Sequence, residues 1–100
     1  MKKTKSNTTK IKTNIGYLNR KQIAIFNKSS SALNNAYYYD VLGYTNKQTE
    51  LELSQIYFEV TGFQLLNWNC NSCRLNNWKK LGKLYYNSLD KLKQTTNENT

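Results

Sequence analysis

The chain of 100 residues has no histidine and no proline, only six acids, four glycines and two cysteines. Without histidine it lacks the side chain used most often as a general acid or base near neutral pH. Among the acids, Glu50 and Glu52 fall in the first turn of an expected helix, where the helix dipole favours anions, so a structural role suffices for both. Gly16, Gly43, Gly62 and Gly82 fit no Gly-x-x-x-x-Gly-Lys phosphate loop. Enzymatic activity, a cofactor and a small-molecule substrate are therefore not expected. No run of about 18 apolar residues occurs, which argues against a membrane span. The N-terminus also lacks the apolar stretch of a secretory signal, so the expected location is the compartment of synthesis. Asn7-Thr8-Thr9 is then not read as a glycosylation site.

What the chain has in excess is positive charge, at a net +9. Residues 1–28 hold Lys2, Lys3, Lys5, Lys10, Lys12, Arg20, Lys21 and Lys28 with no acid. Residues 29–68 are mildly acidic, with Lys47 against Asp40, Glu50, Glu52 and Glu59. Residues 69–100 are basic again, with Arg74, Lys79, Lys80, Lys83, Lys91 and Lys93 against Asp90 and Glu98. A basic arm and one basic helix suit phosphate or an acidic protein surface.

Apolar residues make up 38% of the chain and cluster between Ile23 and Leu92. The clearest pattern is Leu75, Trp78, Gly82, Tyr85, Leu89 and Leu92, which recur at steps of three and four and so form one stripe of a helix over 72–92. Its other side carries Lys79, Lys80, Lys83, Asn87 and Lys91. Gly82 within the stripe costs a helix about 1 kcal/mol against alanine. Close approach of another backbone, or of Trp68, would compensate. Leu33, Ala36, Tyr37 and Val41 predict a second helix over 31–42, closed by Gly43 in the left-handed conformation. Thr49-Glu50-Leu51-Glu52 has the spacing of a capping box and predicts a third over 49–61. Leu53, Ile56, Tyr57 and Val60 form its apolar face, and Gly62 closes it with Phe63 placed for the hydrophobic contact of a Schellman motif. Ile23-Ala24-Ile25 alternates as a short strand would, while Leu18, Ile23 and Phe26 could equally lie on a short helix, and the segment is taken as an arm that docks by its apolar residues.

The expected architecture is all-α: an extended basic arm over 1–28, a three-helix domain over 29–93 and a polar tail over 94–100 that frays after Leu92. The expected partner-binding residues are Lys2, Lys3, Lys5, Lys10, Lys12, Arg20, Lys21, Arg74, Lys79, Lys80 and Lys83, facing other protein subunits or nucleic acid. About ten residues separate the predicted helix over 49–61 from the one over 72–92, too many for the turn of a helix-turn-helix, so phosphate contact is favoured over base reading. Cys70-x-x-Cys73 leaves three readings. The pair could be reduced thiols packed beside Trp68 and Trp78, which is the preferred one, half of a zinc site completed by a second copy, or a redox pair.

The block Ile56-Tyr57-Phe58-Glu59-Val60-Thr61-Gly62, followed by Cys70-Asn71-Ser72-Cys73-Arg74 and a tyrosine-bearing helix, resembles a pattern in small uncharacterised proteins of tailed phages that infect Bacteroidetes, crAss-like phages included. The resemblance covers about Leu53 to Tyr86. It implies a phage-encoded accessory protein of the virion, on the capsid or at the head-tail junction, located in the virion or the host cytoplasm. No functional residue is carried over from it. The expected function is thus a non-enzymatic structural subunit, and the alternative is a free DNA- or RNA-binding regulator.

Overall fold

The computed structural model describes residues 16–99 and, from residue 95 onward, the backbone alone. It is all-α, with four helices among the described residues: α1 Arg20–Asn27, α2 Ser30–Tyr39, α3 Lys47–Thr61 and α4 Asn71–Asn99. At 1.5 Å per residue, α4 is about 43 Å long. It is the spine of the fold, because α1, α2 and α3 each dock on it, α2 most extensively. No helix among the described residues is long and apolar enough to cross a membrane.

The stripe on α4 is buried as its spacing predicts. Trp78, Gly82 and Tyr85 are buried, Leu75, Leu89 and Leu92 are half-buried, and Leu81 and Leu84 widen the apolar side. Gly82 is where α2 comes closest. A Cβ at this position would lie 2.8 Å from Tyr37 Cβ and 3.1 Å from the Leu33 carbonyl oxygen. The near contact is thus the base of a side chain and a backbone atom, neither of which can swing away. This is the compensation that a glycine in mid-helix requires.

The segment 16–28 departs from the expected extended arm. Asn19 caps α1 by accepting from the Gln22 N–H at 2.8 Å, while Gln22 Oε1 accepts from the Asn19 N–H at 2.9 Å. Leu18 and Ile23 hold the two positions of a hydrophobic staple across this box, and both are buried, as is Phe26. The Leu18 N–H donates to Ser88 Oγ at 2.9 Å, and Ser88 in turn donates to the Leu84 carbonyl, so the entry to α1 is tied to α4. Phe26 stacks on Tyr85, whose hydroxyl donates to Asn27 Oδ1. The domain therefore begins ahead of residue 29 and has four helices in place of three. Residues 1–15, where most of the basic arm was placed, lie outside the described residues.

Helix ends also shift. α2 stops at Tyr39 because Asp40, not Gly43, adopts the left-handed conformation (φ 58°), and the Val41 N–H then closes on the Asn35 carbonyl at 3.0 Å. Gly43 serves a different purpose: the chain folds back over α2 there, and a Cβ would sit 3.3 Å from Asn35 Nδ2. Asn46 caps α3 by accepting from the Thr49 N–H at 2.9 Å, so the helix starts two residues before the expected start at Thr49. Gly62 closes α3 at φ 81° as predicted. Phe63, expected to pack against that closure, is 63% exposed. The connection to α4 is packed down in part: Leu65 is buried and Trp68 half-buried, and the Leu66 carbonyl accepts from Asn77 Nδ2 at 2.8 Å although the Leu66 side chain is exposed. α4 continues past Leu92 to Asn99, where fraying was expected.

Glu50 lies three residues before Leu53, on the buried face of α3, and is 6% exposed. Its Oε2 accepts from Arg74 Nε at 3.0 Å and Nη2 at 2.9 Å, from the Trp78 indole N–H at 3.0 Å and from the Thr45 hydroxyl at 3.0 Å. One carboxylate oxygen thus ties α3 and the loop before it to two turns of α4.

Two consequences are measurable by urea unfolding. Gly82→Ala lowers stability by roughly 1–3 kcal/mol through overpacking against α2, although alanine is the better helix former; a more stable variant would contradict the close approach. Glu50→Ala costs roughly 3–5 kcal/mol because it strands the Arg74 charge in a half-buried site. Adding Arg74→Ala to it recovers part of that loss, whereas strictly additive losses would show that the two side chains do not interact.

Candidate partner-binding surface

The basic residues expected to meet a partner, on the arm and on the long helix, divide three ways. Arg74 is withdrawn from it, since its guanidinium is committed to Glu50. Lys79 is paired with Asp40 at 2.6 Å, an exposed bridge that adds little stability but neutralises the charge. Lys80 and Lys83 remain exposed with no acidic partner among the described residues. Arg20 and Lys21 are exposed in the first turn of α1. Lys2, Lys3, Lys5, Lys10 and Lys12 lie outside the described residues.

Lys80 and Lys83 line a shallow groove of about 340 Å³ between α4 and the end of α3, together with Tyr57, Thr61, Phe63, Leu84 and Asn87. Burial pushes the Tyr57 phenol above its ordinary range, so it is neutral at physiological pH and offers a ring and a hydroxyl. Lys80 also borders a second groove of about 330 Å³, lined by Gln64, Leu66, Asn67, Cys73, Asn76 and Asn77. Both grooves border Lys80; taken together as one trough, their linings follow α4 from Cys73 to Asn87, about 21 Å at the helical rise. Its lining has two cations, no anion, two rings and five side-chain amides. That mixture can hold phosphate or carboxylate oxygens, present rings for stacking and hydrogen-bond polar edges.

A second surface carries apolar side chains. Tyr38, Tyr39, Val41 and Tyr44 follow closely in sequence and are all exposed, Tyr39 at 68% and Tyr44 at 90%. Tyr38 is anchored from below, with its ring centroid 5.0 Å from that of Tyr86, which also stacks on Tyr37 and accepts from Asn34 Nδ2. Tyr44 stands over a cleft of about 390 Å³ bounded by Lys28, Ser29, Asn46 and Thr49.

Cys70 and Cys73 form a disulfide, which replaces the preferred reading of two reduced thiols. In the oxidised pair neither sulfur is a thiolate able to join a zinc site between copies, and no cluster of three or more metal-binding side chains occurs among the described residues. The helix start itself uses this pair: the Cys70 carbonyl takes the first helical bond, from the Arg74 N–H, and Cys70 Sγ accepts from the Cys73 N–H at 3.1 Å. Cys70 is thus the cap of α4. Sequence reading missed this cap because sulfur is not among the usual capping groups. It missed the Glu50 hub because its donors lie up to 28 residues away.

Comparison with protein-family models, curated proteins and solved structures gave no match to this chain.

Proposed function

We propose that this protein is a non-enzymatic structural subunit of a large assembly, a virion accessory on the capsid or at the head-tail junction, whose basic N-terminal residues tie it to neighbouring subunits or packaged nucleic acid. The observation that carries the reading is the exposed series Tyr38, Tyr39, Val41 and Tyr44 at and just beyond the end of α2, where Tyr38 packs on Tyr86. Exposed aromatic side chains are what protein interfaces enrich, because with two side-chain torsions they bury much area at little entropic cost. The non-enzymatic part is supported by the use of Glu50 and Asp40 in structural ion pairs and by the lack of histidine. The phage assignment rests on the resemblance around Ile56–Gly62 and Cys70–Arg74. When particles are purified by density gradient, the protein co-migrates with them, and Tyr39→Asp with Tyr44→Asp reduces its occupancy at least tenfold while helix content is unchanged. A chain that stays in the soluble fraction throughout would contradict this reading.

A second reading, a free DNA- or RNA-binding protein, is favoured by Lys80 and Lys83 sharing one groove with Tyr57 and Phe63. Phosphates would pair with the lysines and unstacked bases with the rings. It predicts that a labelled oligonucleotide binds at low salt, with affinity falling steeply as salt rises, and that Lys80→Glu with Lys83→Glu abolishes binding. No binding at low salt would remove this reading.

A further inference from the structure

Neither functional reading uses the Cys70–Cys73 disulfide. It closes a loop of minimal length, from the cap of α4 to its third residue, and neither cysteine belongs to the hydrophobic core. Chain-entropy stabilisation grows with the length of the loop closed, so this bridge contributes little to holding the fold. The first turns of α4 are also held independently of the bridge, by Glu50 on Arg74 and Trp78 and by Asn77 on Leu66. Reduction of the pair leaves these contacts available to hold the helix.

The two sulfurs are not equivalent. Cys70 is exposed, whereas Cys73 is half-buried and faces the amide groove. Cys70 Sγ also sits at the helix cap with the Cys73 N–H aimed at it and Ser72 Oγ 3.4 Å away. A sulfur in that position gains most from carrying negative charge, because the free N–H groups and the dipole of a 29-residue helix point toward it. Arg74 adds little, its charge being neutralised by Glu50.

We propose that Cys70–Cys73 is an exchangeable disulfide that reacts with dithiol partners through Cys70 Sγ. A thiolate of the dithiol attacks Cys70 Sγ, forming a mixed disulfide and breaking the Cys70–Cys73 bond. The bonding pair leaves on Cys73 Sγ, which takes a proton from water. The partner's second thiolate then attacks the partner sulfur of the mixed disulfide and expels Cys70 as a thiolate held at the cap of α4. The dithiol has lost two electrons and become a disulfide, and Cys70 and Cys73 have gained them. In the reverse direction the Cys70 thiolate attacks a partner disulfide and Cys73 resolves the intermediate.

The test uses the full chain. The oxidised protein is treated with dithiothreitol under native conditions, and its thiols are then alkylated and counted by mass. Two alkyl groups per chain with unchanged circular dichroism are expected, and a bridge that reduces only after unfolding would overturn the proposal. In parallel, Cys73→Ser and Cys70→Ser are incubated with oxidised glutathione. The first should form its mixed disulfide at least tenfold faster than the second. Equal rates in two variants that both retain their helix content, or no adduct on either, would overturn it as well.

Discussion

The fold depends on how closely α2 can approach α4. Three short helices cannot make a core among themselves, and each finds its apolar partner on the long one. Gly82 permits the largest of these contacts by leaving room for Leu33 and Tyr37, and the tyrosine stack of residues 37, 38 and 86 grows from that seam. Glu50 does the equivalent for α3 by polar means. Its four donors lie on α4 and on the loop before α3, so the buried carboxylate gathers both elements on a single oxygen, Oε2. Leu18 and Ser88 fasten the start of α1 in the same way.

This arrangement decides which surfaces are left for partners. Docking α2 and α3 on opposite flanks of α4 uses up Arg74 and Lys79 in ion pairs and leaves Lys80 and Lys83 at the trough. The same docking turns the end of α2 outward with Tyr39 and Val41, followed by Tyr44. One surface is cationic and rich in amides, the other aromatic. A subunit that must touch both a neighbour and a polyanion would be served by both, whereas a free nucleic-acid binder would need the trough alone.

Much of the fold was legible in the sequence where a pattern ran long enough to be unambiguous. The stripe from Leu75 to Leu92 and the face Leu53, Ile56, Tyr57 and Val60 each cover several turns, and Gly62 closes α3 as its residue type suggests. α1 was not legible, because eight residues with two buried side chains fit a strand as well as a helix, and its box uses Asn19 and Gln22 in place of the commoner Ser or Thr with Glu. Asp40 was passed over as the end of α2 because glycine is the usual left-handed residue. The candidate site was legible in its charge but not in its membership. Arg74 and Lys79 look like free cations along the chain, and only tertiary structure brings Glu50 and Asp40 to them from 24 and 39 residues away.

That α4 is a common spine for three separately docked helices can be measured by native-state hydrogen exchange resolved to single amides. The slowest amides should fall on α4 between Trp78 and Ser88, with those of α1 near Phe26 and of α2 near Ala36 protected to a similar extent, since neither helix can leave without exposing α4. Rapid exchange throughout α1 or α2 while α4 stays protected would contradict the account.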